Sequence, residues 1–258
     1  MLTEVKGLVI RSVDIRESDR LITIFTEEQG AVTALARGAR SLKSRKMSST
    51  MQFCYGSFVL YGQSDKYWIK EASLIESFFN LRSSIEGLAL ANYIAEILSD
   101  VTVESAESEL LRLSLNSLFA IAENKYPLAK IKAVFEIRCA SILGFMPDVL
   151  ACHNCGERGG DFFFDIMGGV IECRRCREEF SESGEPHPDP HESHIISILS
   201  EGAKIALGYA IHAPLERVFS FNISDEDMHL FQRSTEQYLL NQIGHSFKSL
   251  DFYDSVKR

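Results

Sequence analysis

Two Cys-x-x-Cys pairs in the middle of the chain are the residues whose spacing most clearly indicates chemistry. Cys152 and Cys155 form the first pair, Cys173 and Cys176 form the second, and 17 residues separate Cys155 from Cys173. Each pair can place two thiolates on one tight turn, so two facing turns can supply a tetrahedral shell of four sulfurs for zinc. The interval is typical of such sites. We therefore predict one zinc ion bound by all four cysteines.

A redox pair and a pair of disulfides are the alternatives to zinc. A redox Cys-x-x-Cys usually follows a strand in a thioredoxin-like βαβ unit, and the flanking sequence does not predict such a unit. Disulfides need an oxidising compartment, and the opening residues Met1–Lys6 lack the apolar run of a signal peptide. Four sulfur ligands close the shell and leave no position for an activated water, so we expect the zinc to be structural.

A second set of residues indicates binding of a polyanion. Residues 37–46 carry five positive charges and no acid, with Gly and Ser for flexibility. A solvated loop is the alternative, but solvated faces usually mix signs and this run has one sign. Arginines around the first turn can extend the same surface. The predicted nucleic-acid-binding residues are Arg11, Arg16, Arg20, Arg37, Arg40, Lys43, Arg45 and Lys46.

The distribution of charge favours the same end of the chain. The 258 residues carry a net charge of −9, yet residues 1–80 hold 11 Lys/Arg against 9 Asp/Glu, and the remainder holds 16 against 27. This asymmetry suggests that any polyanion is bound by the first 80 residues. An apolar content of 45% supports well-packed cores in two or three small domains. No apolar run approaches the length of a membrane span, which predicts a soluble, cytoplasmic chain.

The elements that position these cations read as five short strands. Turn residues separate the runs, and five strands in about 75 residues suit a partly open barrel of the oligonucleotide-binding (OB) kind, with a small open sheet as the fallback. The runs are Val5–Ile10, Arg20–Thr26, Gly30–Ala36, Phe53–Tyr61 and Lys66–Glu76. Aromatic residues on the last two runs can stack on bases, although rings in a barrel are more often core. They are Tyr55, Phe58, Tyr61, Tyr67 and Trp68.

From about residue 81 the apolar residues recur at helical spacing. Two helices precede a third that runs from Pro127 to Leu143 and ends at Gly144. The cations of the third helix form either an ordinary polar face or a binding patch for an acidic peptide. These cations are Lys130, Lys132 and Arg138.

The cysteine region and the C-terminal part complete the predicted fold. Short strands at 161–165 and 169–172 make a zinc ribbon, residues 182–192 form an irregular connector, and helices follow at 193–211 and 225–243. The histidines at positions 187, 191 and 194 supply no preformed metal geometry. The sequence therefore predicts an α+β multidomain chain: an OB-type barrel at 1–80, a helical domain at 81–148 and 182–258, and an inserted zinc ribbon at 149–181.

Common catalytic motifs are absent from the sequence. It contains no phosphate-binding P-loop, no dinucleotide-binding glycine turn, no Gly-x-Ser-x-Gly elbow and no His-Glu-x-x-His helix. We therefore expect a binding protein. An enzyme with an unrecognised active site remains the minority alternative.

Three segments together resemble the bacterial recombination mediator family RecO. The first joins Lys6–Arg11 with Glu17–Arg20 and Phe25, and the second runs from Gln29 through Arg40. The third joins Phe135–Arg138 and Leu143–Pro147 to the first cysteine pair. The segments occur in family order, and the resemblance covers residues 1–180 well and the C-terminal helices loosely.

The resemblance implies a role in recombinational DNA repair through the RecFOR pathway. It implies binding of single- and double-stranded DNA, annealing of complementary strands, and loading of RecA, with RecR, onto DNA coated by the single-stranded-DNA-binding protein. It also implies that the helical domain binds the acidic C-terminal tail of that coating protein, and that the chain works in the cytoplasm at the nucleoid. The alternative is a zinc-ribbon and OB interaction protein that binds RNA or protein in another information-processing system.

Overall fold

The computed structural model describes residues 2–63, 66–101, 107–183 and 195–257. The chain divides into two compact units, one of residues 1–125 with 247–258 and the other of residues 126–246. Positions 184–194, which include most of the predicted connector and the histidines at 187, 191 and 194, lie outside the described residues. No helix within the described ranges is long and apolar enough to cross a membrane.

The first unit begins with a closed five-stranded barrel. Its strands are β1 (Leu2–Ile15), β2 (Asp19–Thr26), β3 (Gly30–Ala36), β4 (Cys54–Gln63) and β5 (Lys66–Ser77). They are joined in the order β1-β2-β3-β5-β4, and β1 pairs back to β4. The β3–β5 pair is parallel, and the other pairs are antiparallel. All five predicted strands are confirmed, and the barrel closes where a partly open one was expected.

Closure depends on strand length and on a close approach of backbones. β1 has 14 residues and an irregularity between Val9 and Arg11, so it bends and pairs with β2 at one end and β4 at the other. Gly7 and Gly56 face each other across the β1–β4 pair, and a Cβ at either would lie 2.5 Å from an atom of a neighbouring strand. The barrel interior is filled by branched and aromatic side chains, including Val9, Ile22, Ile24, Phe58, Leu60 and Ile69.

Helices complete the first unit. α1 (Ile85–Asp100) begins at Ser84, whose Oγ accepts a hydrogen bond from the backbone N–H of Gly87 at 3.0 Å. α2 is Glu107–Ala122, and the C-terminal α7 is Lys248–Val256. The backbone N–H of Ser249 donates to the Glu96 carboxylate at 2.9 Å, which fastens α7 to α1. The C-terminal residues 248–256 thus form a helix that packs on α1.

The second unit combines helices with a three-stranded sheet. Its helices are α3 (Leu128–Ile142), α4 (Arg174–Ser183), α5 (Glu201–His212) and α6 (Asp225–Ile243). Its strands are β6 (Phe162–Asp165), β7 (Val170–Cys173) and β8 (Ile196–Leu199), in the order β7-β6-β8. The two ribbon strands match the predictions, and the Oγ of Ser224 accepts a hydrogen bond from the backbone N–H of Asp227 at the start of α6.

The helix predicted at 193–211 is wrong over residues 196–199. Residues 196–199 pair with β6 as β8, and α5 begins only after the N-cap Ser200. Ser197 faces inward and its Oγ lies 2.8 Å from that of Ser234 on α6. Apolar residues at short spacing fit a helix and a strand equally well. Here residues 196–199 form a strand because they pair with the edge of β6 that β7 leaves open.

The cations of α3 are held inside the second unit. The ammonium of Lys132 lies 2.6 Å from the carboxylate of Glu136 and 2.6 Å from that of Glu236. Burial opposes the charge, but the two carboxylates outweigh it and raise the pKa of Lys132. Lys130 donates to the carbonyl of Phe221 and lies over that residue's ring. Lys130 and Lys132 are each only 4% exposed.

Replacing Lys132 by methionine should therefore destabilise the protein severely. The fully buried Glu136 would lose its ammonium partner, and breaking a buried pair on one side costs about 3–5 kcal/mol. The free energy of unfolding from urea titration measures this loss. The matched control is Lys257→Met, which removes an exposed pair with Asp254 and should cost about 1 kcal/mol or less. Equal losses in the two variants would contradict the internal role of Lys132.

Candidate nucleic-acid interface and metal centre

The basic loop joins β3 to β4 and is fastened to the barrel at its start. Asp19, at the beginning of β2, accepts a hydrogen bond from the backbone N–H of Gly38 at 2.9 Å and one from Ser18 Oγ at 3.2 Å. The bond from Gly38 lowers the pKa of Asp19 below its ordinary value. Gly38 has a φ of 66°, in the left-handed region that favours glycine. The loop therefore leaves β3 in a fixed direction.

A second carboxylate joins the first turn to the basic loop. Asp14 accepts from Nε of Arg20 at 2.8 Å and lies 3.1 Å from Nε of Arg40. Hydrogen bonding from Arg20 lowers the pKa of Asp14, and the charge of Arg40 adds to the effect. Arg20 also donates to the carbonyl of Met47 at 3.1 Å, and its side chain is only 14% exposed. Arg20 therefore links Asp14 to the backbone of the loop.

The other predicted cations differ in how they are placed. Arg40 is exposed but donates to the carbonyl of Arg16 at 2.8 Å, so these two lie together. Lys46 is half-buried, and its ammonium donates to the carbonyl of Ile69 on β5 at 3.2 Å. Exposed side chains at the remaining positions face solvent on β1 or the loop: Arg11, Arg37, Lys43 and Arg45. Their contact with nucleic acid stays a prediction.

A groove on the outer face of the barrel adds a cation that sequence reasoning missed. Two adjoining cavities, of about 540 and 520 Å³, share Lys46 and Lys70 in their walls. Arg37 lines the first and Arg45 lines the second. Lys70 carries no motif, but its position beside the inward-facing Ile69 on β5 indicates an outward side chain.

The five aromatic residues of the barrel separate into core and surface. Phe58 is fully buried, and Tyr67 packs partly against the core. Tyr55 donates its hydroxyl to Glu27 at 3.0 Å, and desolvation together with this carboxylate raises the pKa of Tyr55 to about 12. Tyr61 and Trp68 stack on each other with ring centroids 5.7 Å apart. These two are the rings placed together on the outer surface.

The four predicted metal ligands come together in the second unit. All four sulfur atoms lie within 4.8 Å of one another, and those of Cys155 and Cys173 are 3.6 Å apart. A tetrahedral zinc with Zn–S distances of about 2.3 Å places its sulfurs about 3.8 Å apart, so the donor set fits zinc. Hydrogen bonding from the backbone at Glu157 and from the Cys176 thiol lowers the pKa of Cys155 to about 6. The hydrogen bond with Cys155 raises the pKa of Cys176 to about 12, so a thiolate forms readily at Cys155 and metal binding must displace the proton of Cys176.

Two different local structures present the cysteine pairs. Cys152 and Cys155 lie on a turn in which the N–H of Gly156 donates to the carbonyl of Cys152 at 2.9 Å. Cys173 ends β7, and Cys176 lies in the first turn of α4. The N–H of Cys173 donates to the sulfur of Cys152 at 3.3 Å. Two facing turns were expected, and the second is instead a strand that continues into a helix.

The two cysteines outside the cluster and the three cations of the predicted peptide site are buried or half-buried. Cys54 and Cys139 are buried, and burial raises the pKa of both thiols. Of the three cations predicted to bind an acidic peptide, Lys130 and Lys132 make their polar contacts inside the second unit, whereas Arg138 is half-buried.

Comparison with known proteins identifies a family that matches nearly the whole chain. The family model "Recombination protein O N terminal" matches residues 1–78, and "Recombination protein O C terminal" matches residues 82–251. A protein named DNA repair protein RecO from Acetivibrio thermocellus is 33% identical over 98% of this chain and 96% of its own length. Proteins of the same name from Clostridium kluyveri and Listeria monocytogenes are 32% and 29% identical over 68% and 96% of this chain, and 69% and 92% of their own lengths. The chain therefore belongs to the RecO family of DNA repair proteins.

Proposed function

We propose that this chain is a recombination mediator that binds single- and double-stranded DNA and anneals complementary strands without consuming ATP. The observation that carries the proposal is the loop of five cations between β3 and β4, which the carboxylates of Asp14 and Asp19 hold against the barrel. Lysines and arginines that bind phosphates fix the position of a strand without reading its sequence. A mediator of repair must act on any sequence, and a surface of this kind is suited to that task.

Annealing follows from the same electrostatics. Two strands repel each other through their phosphates, and a surface that neutralises phosphates on both strands lowers that repulsion. Contacts confined to the backbone leave the base edges free to pair. Base pairing then supplies the favourable free energy, so the protein needs no catalytic residue for this step.

Membership of the family supports the partners of the proposed pathway. We place the protein in the cytoplasm at the nucleoid, where with RecR it helps to load RecA onto DNA covered by the single-stranded-DNA-binding protein. The acidic tail of that coating protein is proposed to bind the helical part of the chain. Among the cations of α3, the burial of Lys130 and Lys132 argues against direct contact, so the proposal for this helix rests on Arg138.

Neutralising the basic loop should slow annealing at least tenfold at moderate salt, because phosphate contacts worth about 1.4 kcal/mol or more would be lost. The variant replaces Arg37, Arg40, Lys43, Arg45 and Lys46 by glutamine, and a fluorescence assay with complementary oligonucleotides measures the rate.

The matched control neutralises five exposed cations elsewhere, namely Lys6, Lys125, Arg233, Lys248 and Lys257. Equal slowing in the control would show that net charge matters and the loop does not. Tighter binding to RNA than to DNA of the same sequence would favour the alternative role in another information-processing system.

We propose one structural zinc ion, bound by Cys152, Cys155, Cys173 and Cys176. Purified protein should contain one zinc per chain by elemental analysis, and chelation should lower the melting temperature by at least about 5 °C, because metal binding contributes folding free energy. Cys176→Ser should lose the metal. The control Cys139→Ala should keep one zinc, because Cys139 is buried outside the cluster. Full zinc content in the Cys176 variant would contradict the assignment.

Reversing the charge of Arg138 tests the proposed peptide contact. Arg138→Glu should weaken binding of the acidic tail peptide about fivefold, because a charge pair at this half-buried position is expected to contribute about 1 kcal/mol. Isothermal titration calorimetry measures the affinity, with Arg233→Glu on α6 as the control. An unchanged affinity in the Arg138 variant would exclude this helix as the peptide site.

A further inference from the structure

A row of exposed apolar side chains crosses three strands of the barrel. Leu2 on β1 is the cross-strand partner of Tyr61 on β4, and Tyr61 is the partner of Trp68 on β5. The neighbouring residues Leu60 and Ile69 face the interior, so alternation turns the row outward. The rings of Tyr61 and Trp68 stack at an interplanar angle of 22°. Leu2 is 58% exposed and Tyr61 is 38% exposed, which leaves apolar surface in contact with water.

Three cations surround this row. The cavity of about 540 Å³ is lined by Leu2, Arg37, Lys46, Tyr61, Ile69 and Lys70, a set that we call the aromatic groove. Among the described residues that line it there is no carboxylate. The adjoining cavity contains Glu4 and Glu71, and a third contains Glu27 and Glu28 beside Lys6. Of these three depressions, the aromatic groove has the electrostatics for an anion.

The walls of the groove are held in place before any ligand arrives. Lys46 is fixed by its ammonium, which donates to the carbonyl of Ile69 at 3.2 Å. The carbonyl of Lys46 accepts from Thr50 Oγ1 at 2.7 Å, which anchors the loop behind it. A preformed site loses little conformational entropy on binding.

We propose that the aromatic groove binds one nucleotide of single-stranded DNA, with its base stacked on Tyr61 and the adjoining phosphates on Arg37, Lys46 and Lys70. The inference rests on the proposed function and adds a selective subsite to it. In a duplex both faces of a base are covered by neighbouring base pairs, so only an unpaired base can stack on a protein ring. The groove therefore distinguishes single strands from duplex, whereas the other loop cations bind phosphates of both.

This selectivity has a consequence for annealing. A base held on Tyr61 must leave the ring to pair with its complement. The duplex product then keeps only the phosphate contacts and is held less tightly than the separate strands. Loss of the stacking contact with Tyr61 therefore favours release of the duplex product.

Two variants and two matched controls test the proposal by fluorescence anisotropy with an oligonucleotide and its duplex. Tyr61→Leu should weaken single-strand binding at least fivefold and change duplex binding less than twofold, because stacking contributes about 1–3 kcal/mol per base. Lys70→Gln should weaken single-strand binding and lower its salt slope by about 0.7. Tyr61→Phe keeps the ring and should retain the wild-type affinity. Tyr55→Leu on the same strand and Lys6→Gln on β1 should stay within twofold of wild type.

Trp68 supplies an independent readout, because it is the single tryptophan of the chain and stacks on Tyr61. Its emission should change when single-stranded DNA saturates the protein and should stay constant with duplex. The proposal is overturned if emission is the same with both ligands, or if Tyr61→Leu binds single strands like Tyr55→Leu. If either result is found while the wild type still anneals DNA, the proposed stacking site is rejected and the proposed function is retained. A wild type that binds neither ligand would remove both.

Discussion

In a loop that carries five positive charges and no negative one, the side chains repel one another, and this repulsion opposes a defined shape. The structure solves this with carboxylates that lie outside the loop. Asp19 binds the backbone N–H of Gly38, and Asp14 lies against both Arg20 and Arg40. The first turn of the barrel thus supplies the counter-charge that lets the positive loop take a defined position. The cationic surface and the barrel that presents it depend on these contacts.

The second unit concentrates its ionic chemistry in the interior. Lys132, Glu136 and Glu236 form a charge network on α3 and α6, while four sulfurs close the ribbon between β7 and the turn before it. Removing one member of the network would leave a buried charge unpaired, and metal binding at the sulfurs would contribute folding free energy. The first unit differs in presenting its cations to solvent. Proposed DNA contacts and proposed metal binding therefore reside in different units, and loss of zinc should act through folding of the second.

Local patterns predicted the elements well where periodicity and turn residues agreed. Spacing within about 25 residues is enough to predict the five barrel strands, the two ribbon strands and the cysteine cluster. β8 was not predicted, because the sequence of Ile196–Leu199 does not distinguish a strand from a helix and the strand forms by pairing with β6. Lys130 and Lys132 looked like surface charges, since their partners Phe221 and Glu236 are about 90 to 100 positions away along the chain. The groove at Lys70 was not predicted either, because its walls come from three strands and a loop that are distant in the sequence.

The central claim is that a fixed cationic loop screens the phosphates of DNA, and the salt dependence of binding tests it most directly. Four of the five loop cations make no contact with Asp14, and we expect each of them to neutralise one phosphate. These four should then contribute about −3 to the slope of the logarithm of the single-strand binding constant against the logarithm of the salt concentration. Neutralising Arg37, Lys43, Arg45 and Lys46 should remove that part of the slope. A slope that is the same in wild type and variant would show that DNA is bound elsewhere and would contradict the account.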